Sequence, residues 1–545
     1  MAFNVPVPPS AKALKPVAPD FAARAAKVAT TMTEMTPTDE SPRAGNGDEQ
    51  DYQDKSASYF KGLRQPAPGR AEIEEFSKFR KVLSADSDLS SQGPLLGAYD
   101  GAPLKGPRSG HASALIGADP RAHFIPAPPK VASREYAAEL VELYWASLLR
   151  DTPWAAYEWD ATAIAAAREL DGLGEAYAGP RDADGRVTGK TLFRGGLRKG
   201  GRTFFAGETW GPYVSQFLLH PTQMGAQPLD QRFSSARAGV DYLTDEADWD
   251  WIQNGGFPNE QLQLDHVRRH LRDGRGLSGY AYADELIQPY LVAHLIMQKA
   301  GLRANADSPY IGQKNEKPFA TFGAPDIVGT LGAVARSALI AAGHQKWNVH
   351  LRHRPESGGG LVHLTSTRRA NKILRRQTGG NDSLHEAIMT SPAVKLSHMR
   401  HGSYLLSQAY PEGAPSEPSY PSGHGAVAGA CITALKFFYD CERPIVRYMS
   451  VLAPSSDGLT LDPYSGLEAA QMTFNSELGK LGHNVSFGHG LHGGANWRGD
   501  ADAGMLLGEE VAIAFLKHQA GAYHERFALK IRKFDGDFET IGNKD

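Results

Sequence analysis

Only two cysteines, Cys431 and Cys441, occur in 545 residues. A disulfide framework is thereby excluded, a structural zinc site lacks its ligands, and the usage fits a reducing compartment. No stretch reads as the run of about 18 apolar residues that a membrane span needs, so no membrane association is expected. The first residues, Met-Ala-Phe-Asn-Val-Pro-Val-Pro-Pro, lack a basic region followed by an apolar one. No secretory signal is read there, and a cytoplasmic location is expected. A formal net charge of −3 leaves no basic footprint for nucleic acid. Strand patterns are scarce, and no internal repeat of fixed period is found. What remains is the ordinary composition of a soluble globular protein, 41% hydrophobic and 22% charged.

Residues 1–55 are rich in Pro, Ala, Thr and acidic groups and read as a disordered or wrapping arm. Residues 56–545 read as a single helical domain. Ser133 caps a helix whose Ala137, Leu140, Val141, Tyr144 and Leu148 share a face. A second helix is expected from Ala281 to about Ala300, kinked at Pro289 and stopped by Gly301. A third starts at Pro325-Asp326 and leads into Lys346. A fourth follows His424, and a fifth begins near Asp500. Segments within 188–206 read as a small hairpin. The pattern predicts an all-α fold of helical bundles with long loops, those at 350–405 and 440–490 covering a pocket.

Three segments carry chemistry. Seven residues separate Lys346 from Arg354, with Pro355 closing the stretch. Arg offers an oxyanion a planar fork and Lys a point charge, although a basic run by itself also suits a solvated loop. Pro421-Ser422-Gly423-His424 precedes a helix. Ser422 can cap it, the first-turn N–H groups favour an anion, and Gly423 permits close backbone approach. His424 then stands beside that anion as an acid or base near neutral pH. The third segment runs from Asn484 through His489 and His492 to Asn496-Trp497-Arg498-Gly499-Asp500.

The order Lys-x7-Arg-Pro, Pro-Ser-Gly-His, then a Trp-Arg-x-Asp helix start resembles the algal and bacterial branch of the vanadium-dependent haloperoxidases. The stretches 138–145, 211–217 and 251–255 are also similar to that family, and the resemblance covers most of residues 50–520. It implies two four-helix bundles. It implies that Lys346, Arg354, Ser422 and Gly423 occupy positions that hold the equatorial oxygens of vanadate, and that His424 is the acid–base histidine. The third segment departs from the family. His489 stands where an arginine is expected and Asn496 where the histidine bonded to vanadium is expected. The spacing between them is one residue longer than usual. A carboxamide is a poor metal ligand, whereas an imidazole donates a lone pair. Either His489 or His492 is the candidate to replace the missing ligand.

The resemblance and the ligand losses together lead to a vanadate-independent enzyme, similar to haloperoxidase homologues of naphthoquinone meroterpenoid pathways. Such an isomerase rearranges an α-hydroxyketone by a 1,2-shift. His424 takes the hydroxyl proton while Lys346 and Arg354 stabilise the oxyanion. No cofactor and no metal are expected on this reading. The alternatives are a vanadate-dependent chloro- or bromoperoxidase using hydrogen peroxide, and a non-catalytic phosphate-binding homologue. A phosphatase is disfavoured because Asn496 cannot form a phosphoenzyme. Trp347, His353 and His492 are candidate pocket lining, with His401 and Phe487 beside them, and the chain is expected to form a homodimer.

Overall fold

The computed structural model describes residues 45–84, 102–114, 116–199, 202–367 and 384–544. Residues 1–44 of the expected arm lie outside them. Residues 45–55 lie against the body: Asn46 donates to the Pro129 carbonyl, Asp48 accepts from the Val131 amide, and Tyr52 is buried in the main core.

The fold is all-α, and strands among the described residues form only two-stranded antiparallel hairpins. The longer helices are α1 (Ile73–Ser84), α2 (Arg134–Leu148), α3 (Ala161–Gly172), α4 (Glu246–Gln253), α5 (Gly274–Ala283), α6 (Gln288–Lys299), α7 (Ala324–His344), α8 (Pro355–Ser366), α9 (Pro392–His401), α10 (Gly423–Phe438), α11 (Phe474–Phe487) and α12 (Arg498–Ala520). One bundle is built from α7, α10, α11 and α12, and α2 centres a second group with α3, α8 and α9.

Helix α10 is buried along nearly its whole length, and glycines set how closely α12 approaches it. A Cβ at Gly429 would collide with the Met505 backbone, one at Gly508 with the Ala426 carbonyl, and one at Gly504 with the Ser422 carbonyl. This contact brings the N-termini of both helices together, and Ser422 N–H donates to the Asp500 carbonyl at 2.8 Å. Helix α7, extended to His350, is long and apolar enough to cross a membrane, with a mean hydropathy of 1.3. It is instead a bundle helix packed on α10 and α12.

Several boundaries differ from expectation. Ser133 does cap α2, its Oγ accepting from Tyr136 N–H. The expected helix from 281 to 300 is two helices, α5 and α6, because Pro289 lies in the first turn of α6, where a missing N–H costs nothing. The break leaves Asp284 as the C-cap of α5. The hairpin pairs Leu197–Lys199 with Arg202–Phe204, while 188–193 forms turns. The expected loops contain α8 and α9 in one case and α11 in the other. A C-terminal hairpin, Ala528–Arg532 with Phe538–Gly542, was not foreseen.

Candidate active site

Helix α7 runs without interruption into a π-helical turn, Gln345–His350, which ends at Leu351 in the left-handed region with φ 45°. Such backbone is strained for a branched side chain and is held here by context: Leu351 N–H donates to the Lys346 carbonyl, and Leu351 is fully buried. The wider turn brings Lys346 and Arg354 to one carboxylate. Glu417 Oε1 lies 2.8 Å from Lys346 Nζ and 3.3 Å from Arg354 Nη2. Arg354 Nε also donates to the Glu417 carbonyl at 2.7 Å, and its Nη1 donates to Ala495 O and to Asn496 Oδ1.

Charge balance follows from this geometry. Burial would raise the Glu417 carboxyl, but Lys346, Arg354 and Lys105 hold it below the usual carboxylate range. Burial, reinforced by Arg354 and opposed by Glu417, pushes the Lys346 ammonium down to about 8. The exposed Lys105 joins the cluster through its backbone N–H, which donates to Ser416 O.

Ser422 caps α10, its Oγ accepting from Gly425 N–H at 3.2 Å. A Cβ at Gly423 would meet only Leu339, so the glycine leaves space at the helix start. His424 keeps partial solvent access, and its Nε2 lies 3.1 Å from Asp284 Oδ1. That carboxylate is buried, and its other oxygen has no protein partner. His489 stacks on His424 with ring centroids 4.8 Å apart, and Tyr410 lies on the other flank at 6.0 Å. Burial, then His424, Arg354, Lys105 and Lys346 in turn, drive the His489 imidazole well below its ordinary value, so it is neutral at pH 7. Its Nδ1 has no protein partner.

Asn496 is fully committed to the scaffold. Its Oδ1 accepts from Arg354, and its Nδ2 donates to Ser419 O at 2.8 Å and Asp500 Oδ2 at 3.0 Å. Asp500 also accepts from Arg352, which pairs with Glu139.

Three expected pocket residues are elsewhere. Trp347 belongs to a separate apolar cluster with Tyr59 and Phe79. His353 is core, stacked on Trp497 and bonded to Tyr136 and the Ser56 carbonyl. His492 points away from the cluster. Its Nε2 lies 3.0 Å from the Tyr213 hydroxyl, and its ring packs against Trp154 and Phe193. Burial pushes it down to about 3. Tyr213 and Trp154 line a cavity of about 190 Å³ that shares no residue with the His424 cluster. His401 lies 3.8 Å from Asp241, and Phe487 is buried beneath the Arg498 guanidinium, so neither lines the cluster.

Set against vanadate, the group that the resemblance implies, this donor set does not fit. Glu417 already sets a negative charge between the two cations, the Asn496 carboxamide is a poor metal ligand held by the scaffold, and His492 faces another region. His489 keeps an unpartnered Nδ1 near the seat, but as a neutral imidazole it does not supply the positive charge of the arginine expected there. Glu417, Asp284, Lys105 and Tyr410 were not singled out in the sequence. Glu417 lies four residues before Pro421, within Pro-Ser-Glu-Pro, and nothing local distinguishes it from a surface loop carboxylate.

No family model matches the chain. It is 30% identical over 538 residues to a vanadium-dependent bromoperoxidase of Ascophyllum nodosum, covering 98% of this chain and 93% of that protein. It is 28% identical to the vanadium-dependent bromoperoxidase of Corallina pilulifera, with 77% of each covered. The structure matches that of the second, homohexameric vanadate-dependent bromoperoxidase of A. nodosum with a TM-score of 0.86 and 25% identity, over 100% of this chain and 95% of that one. With the fold, the Lys346–Arg354 turn and the Ser422–His424 helix start in place, the chain belongs to the vanadium-dependent haloperoxidase family.

Proposed function

We propose that this family member is a vanadate-independent isomerase that rearranges an α-hydroxyketone, of the prenylated naphthoquinone type, by a 1,2-shift. The observation that carries the reading is the unequal state of the site: Glu417 engages Lys346 and Arg354, whereas His424, oriented by Asp284, keeps access to solvent.

Asp284 accepts from Nε2–H and so leaves Nδ1 as the base, the usual way a carboxylate selects a histidine tautomer. His424 takes the hydroxyl proton of the substrate. The carbon–oxygen bond at that carbon becomes a carbonyl as the migrating carbon moves, with its bonding pair, to the adjacent carbonyl carbon. The former carbonyl oxygen becomes an alkoxide and receives the proton back from His424. Atoms and electrons balance without an oxidant. The Lys346 ammonium, with N–H bonds beyond the one given to Glu417, and the first-turn amides of α10 stabilise the alkoxide. Neutral His489 stacks on His424 and holds its ring plane.

The test combines three measurements on purified protein: vanadium content and affinity, peroxide-dependent halogenation of monochlorodimedone, and turnover of hydroxyketone naphthoquinones. We expect hydroxyketone turnover without added vanadate or peroxide. His424→Ala should lower it by about 10²- to 10⁴-fold, the range for loss of a general acid–base. Full activity in that variant would sink the proposal. The second reading, a bromoperoxidase, is favoured by the full-length similarity to the Ascophyllum enzyme. Stoichiometric vanadium with halogenation would establish it. Homo-oligomerisation is part of either reading, in keeping with the homohexamer of the similar algal structure.

A further inference from the structure

Most buried ion clusters among the described residues hold at least one carboxylate per cation. Arg352 lies between Glu139 and Asp500, at 2.6 and 2.8 Å. His483 lies between Glu208 and Asp502, at 2.8 and 2.9 Å. Arg275 and Arg150 share Asp241, and Arg275 also contacts Asp151. The first two clusters set one cation between two carboxylates, and the third sets two cations against two. At the candidate site the ratio is inverted, since Lys346 and Arg354 share the single carboxylate of Glu417. A pair of buried cations that repel one another is stable only with an anion between them. The Glu417 carboxylate, two oxygens on a planar carbon, meets the same donors that a tetrahedral oxyanion would use. It comes from a loop residue held through its own backbone, as Arg354 Nε binds its carbonyl and Lys105 N–H binds the preceding one.

We propose that the Glu417 side chain is the resident anion of an oxyanion seat, and that it determines specificity by keeping free tetrahedral oxyanions such as phosphate and vanadate out. This deepens the proposed function and rests on it in one respect: the substrate then need bring no negative charge. The seat itself, two cations and the start of α10, remains competent and is disclosed when the carboxylate is removed.

The experiment measures binding of inorganic phosphate and orthovanadate to full-length wild type, Glu417→Gln and Glu417→Ala, by titration calorimetry and by the shift of thermal unfolding with phosphate. Wild type should show no saturable binding at low millimolar phosphate. The variants should gain affinity by about a hundredfold or more, as expected when a competing buried charge is removed. Their unfolding temperature should rise with phosphate while that of wild type stays constant. Adding Lys346→Ala to Glu417→Ala should abolish the gain, which locates the ion at this seat. Glu417→Gln keeps the shape and covers the case in which Glu417→Ala does not fold. Equal affinities in wild type and both variants would overturn the proposal, as would a gain that survives Lys346→Ala. If Glu417→Gln binds no oxyanion while wild type still turns over hydroxyketone, this inference fails and the isomerase reading stands. If wild type binds vanadium and halogenates, the isomerase reading and this inference both fail.

Discussion

Arg352 and Arg354 are two residues apart on one short extended segment, both almost wholly buried, and they do different work. Arg352 turns toward α2 and α12 and is enclosed by Glu139 and Asp500, with the Trp497 ring beneath it at 4.6 Å. Arg354 turns the other way, toward a loop carboxylate that it shares with Lys346. The first arginine joins the two helix groups. The second shares its one carboxylate with another cation. Burial and residue type are the same in both, so neither property alone separates scaffold from site. The number of counter-charges does: two carboxylates enclose Arg352, whereas one, shared with Lys346, meets Arg354.

The comparison is broken most directly by truncating each arginine. Arg352→Ala leaves two carboxylates uncompensated in the interior and should destabilise the fold by about 3–5 kcal/mol. Arg354→Ala leaves Glu417 its contact with Lys346 and should cost about 1–3 kcal/mol, mainly from unsatisfied hydrogen-bonding groups. Denaturant unfolding of the two variants measures the difference, and equal losses would show that the shared carboxylate is as structural as the enclosed ones.

A smaller effect is expected from pH at the other enclosed cluster. Burial disfavours the His483 cation, but Glu208 and Asp502 more than offset it and raise the group to about 9. Its folded value lies above its unfolded value, so the stabilisation is complete below about pH 6.5. It is lost as pH rises through about 9. Unfolding free energy followed from pH 6 to 10 should therefore fall across that window, and His483→Gln should flatten the profile. The smallest change is expected at the cap of α10. Ser422→Ala should cost about 1 kcal/mol, because Gly425 N–H loses its acceptor.

Local signals in the sequence were read correctly where structure depends on near neighbours. Ser133 and the apolar stripe of α2, the proline start of α7 and the Ser422 cap of α10 all act within a few residues, so spacing reveals them. Pro289 shows the limit. A proline inside a periodic stretch is compatible with a kink or with a new helix start, and only the packing of α5 and α6 selected the start. Helix α11 was missed although Phe474, Leu478, Leu481 and Val485 fall at helical spacing, because glycines and polar residues interleave them and the stretch runs into a glycine-rich segment. His492 was read as lining a site because a flexible loop allows it. The structure turns its ring to Tyr213, where burial, with Arg150 and Arg498 nearby, favours a neutral imidazole.

By itself the sequence determined the family frame: two cations at a set spacing, a capped helix start bearing His424, and an asparagine and a histidine at positions expected to bind vanadate. Those features are local, and residue identity at fixed spacing is enough to carry them. Only the tertiary structure decided what the frame does. Asp284 reaches His424 across 140 residues of chain, and Glu417 meets Lys346 from 71 residues away. Charge is a long-range interaction in a buried, low-dielectric site, so the state of each group depends on what folding places beside it, and linear spacing holds no record of that.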